Sequence, residues 1–421
     1  MVVERAAEDE SPQRAGLEQP ERAGVEQPQR PRVEESQEAR RASGGGVLGV
    51  RWRPDGVVRE TLGWWLVSRI GIFLLSVSAP LLFNSGKNYP DVWRAWLQWD
   101  VAHFKAIAEF GYNRGEPSGA PLAAFFPGLP YLMRLVGWTG IGPVAGGVVI
   151  SLVASAVAGV YLARLAQYEF PQLTNFGPKA ALIWFTAPVG VFLAAPYTEA
   201  LFCALAFPGW LAARQGKWGK AALFVALACT VRVSGIFLAA ALVVEFLTSK
   251  KRDWYSVPWL ALPAIPVLGF MAYLKQIHGS WFAWQEAQEK GWAREFTKPW
   301  TSLANTIDAA TEGHFSGERS DWTWMFRAEL VTLAVGLILL AWLLWRHSWG
   351  EAAWVAATIA AFVTSFWIYS LTRATLLWWP LWIGLAVLAE RRPWLGRLYL
   401  AVAIPLAAIW AAAFFTGHWS G

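Results

Sequence analysis

The sequence predicts an all-α protein that crosses a membrane many times. Three observations carry this. First, 55% of the 421 residues are hydrophobic and only 16% are charged, with a mean hydropathy of +0.33. A water-facing domain carries about 25% charged residues, so much of this surface meets something other than water. Second, the apolar residues fall in long runs. Leu62 to Phe83, Ile141 to Leu165, Leu260 to Leu274 and Leu330 to Trp345 reach or approach the roughly 20 residues that cross about 30 Å of hydrocarbon. Third, there are 29 tryptophans, and indole rings favour the headgroup zone.

Residues 1–58 stand apart. They are rich in Glu, Gln, Arg and Pro, and Ala15-Gly-Leu-Glu-Gln-Pro-Glu-Arg22 is nearly repeated as Ala23-Gly-Val-Glu-Gln-Pro-Gln-Arg30. No core can form from such a composition, so a disordered cytoplasmic tail is expected before a membrane domain over 59–421. The tail has no apolar stretch of the kind a cleavable signal needs.

Basic clusters set the expected orientation. Arg51, Arg53 and Arg59 precede the first span, which places the N-terminus in the cytoplasm. Arg214 to Lys220, Lys250 to Arg252, Arg346-His347 and Arg391-Arg392 belong on the same side. Three polar stretches then fall outside: a first loop over 84–120, a turn at Pro196–Glu199, and a long loop over 278–326. The run 220–247 starts and ends inside, and with Arg232 and Gly235 near its middle it reads as a broken or re-entrant pair of half-helices. The run 121–137, with Pro127 and Pro130 near its start, stays ambiguous. The sum is roughly 9–11 membrane segments at the usual span length. The net charge of +6 comes from short clusters between apolar runs, so it gives no reason to expect a nucleic-acid partner. Cys203 and Cys229 lie in apolar runs and read as buried thiols.

The first outer loop holds the densest chemistry. Pro90 and Asp91 are suited to open a helix and Gly111 to close it. On such a helix Trp96, Asp100, His103 and Ile107 share one face, at spacings of four, three and four, with Phe104 beside them. The helix is expected to lie flat in the interface as an amphipathic element, yet its apolar face carries a carboxylate and an imidazole. Either Asp100 pairs locally, or it works as a base whose burial raises its proton affinity.

Other polar groups interrupt apolar runs. Tyr197 and Glu199 sit at an outer turn, Arg232 is mid-run, and Arg373 is at the outer end of a span. An arginine at membrane depth needs an anionic partner or a wet cavity. Arg232 and Arg373 therefore pair internally, with Glu199 or Asp100, snorkel to headgroups, or hold a lipid phosphate. In the long outer loop Trp281, Trp284, Trp292, Arg294 and Trp300 form either an aromatic interface belt or a sugar-stacking wall. Asp308, Glu312 and His314 lack a metal-site spacing, and no metal is expected. No Walker loop, dinucleotide fingerprint or nucleophile elbow is present in the sequence.

Trp99-Asp-Val-Ala-His-Phe-Lys-Ala-Ile-Ala-Glu-Phe-Gly-Tyr112, followed by Ala124-Phe-Phe-Pro-Gly-Leu-Pro130, resembles the PIG-V family of GPI mannosyltransferase 2-type enzymes, of the GT-C glycosyltransferase class. Ala187-Pro and Ala195-Pro-Tyr-Thr-Glu-Ala-Leu-Phe202 are similar to that family's proline–tyrosine–acid segment. Thr230-Val-Arg-Val-Ser-Gly235 is similar to its threonine–arginine–glycine segment. The likeness runs in order from about 60 to 400. It departs at Val231 and Val233, and at Ala374 after Arg373.

The resemblance implies a GT-C fold and a multi-pass protein, in the plasma membrane if the source is bacterial. It also implies an inverting enzyme that takes a sugar, mannose by preference, from a polyprenyl-phosphate donor. The acceptor would be a glycolipid or another membrane-proximal group on the non-cytoplasmic side, with no cofactor beyond the lipid-linked donor. Asp100 is then the expected base. His103, Tyr197, Glu199, Arg232, Arg373, Trp292 and Arg294 are the expected donor or substrate contacts. The alternatives are a GT-C enzyme using another polyprenyl-linked sugar, a lipid-linked saccharide transporter or flippase, and a non-catalytic subunit of a glycosylation complex. Inverted repeats, which a transporter would carry, are not visible in the sequence.

Overall fold

The computed structural model describes residues 55–83, 92–112, 121–315 and 321–420. The expected tail lies outside them up to residue 54, as do 84–91 and 113–120 of the first loop. The described residues are helical throughout their regular structure, in keeping with the all-α expectation.

The first helix, α1 (Gly56–Phe83), starts behind Asp55, whose Oδ1 accepts from the Val58 amide at 2.8 Å. That bond satisfies one of the unpaired amides of the first turn. A 3-10 turn (Val92–Trp96) precedes α2 (Asp100–Phe110), and a second (Leu122–Ala124) precedes α3 (Gly128–Gly137). The long α4 (Pro143–Glu169) opens with proline in its first turn, where a missing N–H costs nothing. More than half of its apolar stretch is buried, against about a quarter or less for the other long apolar helices, so α4 is the central post. Around it follow α5 (Phe176–Phe185), α6 (Thr198–Arg214), α7 (Trp218–Cys229), α8 (Ser234–Thr248), α9 (Ala264–His278), α10 (Ala283–Trp292), α11 (Pro299–Ala309), α12 (Trp322–Trp345), α13 (Trp349–Val363), α14 (Leu371–Ala374), α15 (Trp379–Arg391) and α16 (Pro393–Phe415).

Among the described residues five helices are long and apolar enough to cross a membrane: α1, α4, the stretch Trp254–His278, α12 and α16. A sixth appears if Leu371–Leu377 and Trp379–Arg391, bent by 75°, act as one broken span. The chain is an integral multi-pass membrane protein. The sequence count of roughly 9–11 is higher because it includes apolar pieces that the structure folds as short helices, among them α7, α8 and α13.

The expected pair of half-helices in 220–247 is present as α7 and α8, broken between Cys229 and Ser234. Two glycines make the break possible. A Cβ at Gly235 would lie 2.5 Å from the Cys229 Cα, and one at Gly128 would lie 2.7 Å from the Thr230 carbonyl oxygen. The Gly128 amide donates to that same oxygen at 2.8 Å. The ambiguous run 121–137 is therefore no span: its Pro127-Gly128 corner docks on the arginine break. The long loop 278–326 contains α10 and α11.

The tryptophans are not only an interface belt. Trp96, Trp184, Trp210, Trp218, Trp354, Trp378 and Trp379 are fully buried. The Trp184, Trp354 and Trp382 indoles donate to the carbonyls of Leu376, Leu377 and Thr375. Inside an apolar bundle an irregular segment has no water to satisfy its carbonyls, and indole N–H groups do so here.

Candidate active site

The site begins at a strained corner. Trp99 adopts φ +50°, in the left-handed region, and Asp100 is the first residue of α2. The expected single helix is thus split: Trp96 lies on the preceding 3-10 turn and does not share the face of Asp100, His103 and Ile107. At the other end Gly111, at φ +75°, closes the helix and donates to the Ile107 carbonyl at 2.9 Å. Arg134 on α3 donates to the carbonyls of Ala108 (2.6 Å) and Ile107 (2.9 Å). A cation thereby caps the C-terminal end, where the helix dipole favours it.

Asp100 meets Arg373 from α14, with Nη1 to Oδ2 at 3.2 Å. Arg373 also has its Nε 3.0 Å from Glu199 Oε1, and Arg232 donates through Nη1 to that same oxygen at 2.7 Å. The Arg373 Nε contact is close in distance but not aligned as a hydrogen bond, since that nitrogen has no hydrogen-bond partner among the described residues. The four side chains form a chain of two acids and two arginines, with no net charge. Arg232 and Arg373 are paired internally, as one of the readings open for them has it.

Glu199 is completely buried in the first turn of α6. It is the shared counter-ion beneath both arginines and does not line the cavity. Tyr197 precedes α6. Its hydroxyl donates to the Gln98 carbonyl at 3.4 Å, and Arg373 sits over its ring at 5.0 Å. Burial, reinforced by Asp100, holds its phenol well above the ordinary range, so it remains a neutral donor.

These groups edge a cavity of about 850 Å³. Asp100, Tyr197, Arg232, Trp292, Arg294 and Arg373 all line it. His103 does not. It is buried behind the wall, stacked on Phe125 at 5.0 Å and meeting Trp292 edge-on at 5.7 Å. Trp292 therefore belongs to the wall, at the end of α10, which the Trp284 and Gln288 side chains tie to the Ala124 carbonyl at 3.1 and 2.9 Å. Arg294 differs from the other two arginines. It lies over the rings of Tyr369 (4.7 Å) and Phe362 (5.0 Å), a cation–π setting. The Tyr369 hydroxyl donates to the Trp292 carbonyl.

Asp308 pairs with His314 (3.0 Å) and Glu312 with Arg327 (3.3 Å). Among the described residues no group of three or more His, Cys, Asp or Glu is arranged to hold a metal. Sequence reasoning missed Phe125, Phe362 and Tyr369, whose aromatic character does not mark them out in so aromatic a chain. It also missed Glu329, a fully buried acid on α12. An apolar run that starts at Leu330 leaves it just outside.

The fold and the site together define a polytopic membrane protein with a charged, aromatic-walled cavity. Residues 75–256 match the family described as Mannosyltransferase (PIG-V), which bears out the resemblance read from the sequence. Asp100, His103, Tyr197, Glu199 and Arg232 fall within the match; Trp292, Arg294, Glu329 and Arg373 lie beyond it.

Among individual proteins, the chain is 34% identical over 149 residues to "GPI alpha-1,6-mannosyltransferase 2" of Mus musculus, covering 33% of this chain and 29% of that one. The Homo sapiens protein of the same name is 34% identical over 148 residues, with the same coverage. "GPI mannosyltransferase 2" of Yarrowia lipolytica is 25% identical over 109 residues, covering 26% and 30%. The chain thus spans less than a third of the length of these relatives. Among solved structures, ArnT from Cupriavidus metallidurans bound to undecaprenyl phosphate aligns with a TM-score of 0.43 at 15% identity, covering 84% of this chain and 76% of that one.

Proposed function

We propose that the protein is an inverting GT-C glycosyltransferase. It moves a sugar, mannose by the family match, from a polyprenyl-phosphate donor to a lipid-linked or membrane-proximal acceptor on the non-cytoplasmic side. The observation that carries this reading is the placement of Asp100 in the wall of the cavity, with its carboxylate fixed by Arg373.

In the reaction the acceptor hydroxyl attacks C1 of the donor sugar from the face opposite the phosphate. The new C1–O bond forms as the C1–O(phosphate) bond breaks, and the proton passes to Asp100. The electron pair leaves on the phosphate oxygen, so the leaving group gains one negative charge.

Arg232 and Arg373 are already balanced by Glu199 and Asp100. The cation we assign to the phosphate is Arg294, which lies over the rings of Tyr369 and Phe362 and hydrogen-bonds the Tyr369 hydroxyl. A guanidinium positioned in advance stabilises developing charge without reorganisation. Tyr197, whose hydroxyl proton goes to the Gln98 carbonyl, accepts from a sugar hydroxyl, and Trp292 offers an apolar face. The leaving group is a single phosphate, which carries less charge than a diphosphate and makes a divalent metal less necessary, and we assign no cofactor beyond the donor lipid.

The test is incubation of purified protein with radiolabelled polyprenyl-phosphate mannose and a lipid extract of the host. Labelled glycolipid is expected from the unsubstituted chain and none from Asp100→Asn, at unchanged thermal stability. Near-normal transfer by that variant would remove Asp100 as the base. No product with any polyprenyl-linked sugar would overturn the enzymatic reading.

A further inference from the structure

The segment that carries Arg373 is irregular where it enters the bundle. Ser370 adopts φ +64°, and only the four residues Leu371–Ala374 are α-helical before a 3-10 turn and a bend of 75° into α15. Nothing in its local sequence would hold Arg373 against Asp100 and Glu199. The downstream carbonyls are held by indoles, as described above. The upstream amides are held by a single side chain. Glu329 of α12 accepts from the Ser370 amide (Oε1, 2.7 Å), from the Thr372 amide (Oε2, 2.9 Å) and from the Thr372 hydroxyl (Oε1, 3.1 Å). Its side chain is 1% exposed, and it does not line the cavity.

An acid buried in an apolar helix is costly and is retained where it has work to do. Here the carboxylate acts as a clamp. It takes both flanking amides in the position that a preceding helical turn would occupy, and it does so from a long, regular helix. A site built on a rigid element is more precise than one left to a loop.

We infer that Glu329 is a positioning residue for Arg373, and through it for Asp100. This rests on the reading of Asp100 as the base. Glutamine at 329 would turn an N–H₂ group toward one of the donors that now face a carboxylate, which sets donor against donor and releases the turn. A displacement of about 1 Å at a reacting group costs on the order of 10²-fold in rate.

The test is a double-mutant cycle on the full-length protein, with kcat, donor KM and thermal stability measured for the unsubstituted chain, Glu329→Gln, Arg373→Ala and the pair. Groups that act as one unit give losses that do not add. Glu329→Gln is expected to lower kcat by about 10- to 100-fold with a smaller change in KM. In the Arg373→Ala background it should cost no further activity. Additive losses would overturn the inference, as would a kcat loss that vanishes once stability is matched by lower temperature.

Hydrogen exchange at residues 370–375 supplies a readout without turnover. Faster exchange there in Glu329→Gln or the milder Glu329→Asp, with the rest of α12 unchanged, is expected, and unchanged exchange at 370–372 would defeat the clamp. If the unsubstituted chain transfers no sugar, the enzymatic reading falls, and exchange alone then decides the clamp.

Discussion

Each residue of the charged cluster has a separable physical task. Glu199 is fully buried and shared by two guanidinium groups, so replacing it strips Arg232 of its described counter-ion and leaves Arg373 with Asp100 alone. Removing one partner of a buried ion pair costs about 3–5 kcal/mol. Glu199→Gln should therefore lower the thermal midpoint strongly, and a midpoint within a degree of the unsubstituted chain would show that the arginines find other partners. Arg294 predicts the opposite pattern. It rests on ring faces at the cavity wall, so Arg294→Ala should leave folding largely intact and slow transfer on the order of 10²-fold, the usual loss for one preorganised donor. Wild-type kcat in that variant would reassign the phosphate to Arg232 or Arg373. Asp100 was legible in the sequence because a carboxylate on an apolar helical face is conspicuous. Glu199 and Arg232 stood out for the same reason. Their mutual pairing was one of several open possibilities, since pairing depends on which breaks in the helices meet.

At the level of elements, breaks in helices build the site. The Cys229–Ser234 break presents Arg232, the start of α6 places Tyr197 and Glu199, and the short α14 presents Arg373. These breaks interlock through close backbone approaches that no side chain can enter. Gly128→Ala would push a methyl group to 2.7 Å from the Thr230 oxygen. Overpacking of this kind costs about 1–3 kcal/mol, and here the displaced backbone leads into Arg232. The variant should lose both stability and donor affinity, measurable as a lower thermal midpoint and a higher donor KM. Unchanged KM would show that the break tolerates displacement. The split between Trp96 and Asp100 was not legible, because side-chain spacing alone fits one continuous helix and the left-handed Trp99 is fixed by its surroundings.

For the whole molecule, two charged layers lie at opposite ends of shared helices. Helix α6 carries Glu199 and Arg214, and α8 carries Ser234 and Glu245, which separates each pair by roughly 15–25 Å at 1.5 Å per residue. At the far layer Arg214 pairs with Glu169 (2.6 Å) and Glu245 (2.8 Å), and Trp210 donates to Glu351. Lys250 and Arg346 edge a second cavity of about 570 Å³ there. The three stretches expected on one side, represented by Asp100, Tyr197 and Trp292, do converge on one cavity, and Arg214, Lys250, Arg346 and His347 of the expected inner clusters line the other. The proposed placement of the first cavity on the non-cytoplasmic side rests on the positive-inside rule. Both native cysteines are buried, so introduced thiols can be read against a quiet background. An impermeant maleimide on intact cells should label Glu289→Cys at the cavity rim, and Lys250→Cys only after permeabilisation. The reverse pattern would invert the orientation.

The sequence alone determined that the chain is helical, that it lies in a membrane, and which polar groups are out of place there. Those are consequences of composition and period, and they do not depend on neighbours. Only the tertiary structure decided that Glu199 is a buried counter-ion, that His103 stands behind the wall, and that Glu329 takes the Ser370 and Thr372 amides beside Arg373. The physical reason is that an apolar run looks the same whether it spans, breaks or turns back. Where it breaks is set by the amides, carbonyls and indoles of distant helices that satisfy the exposed backbone.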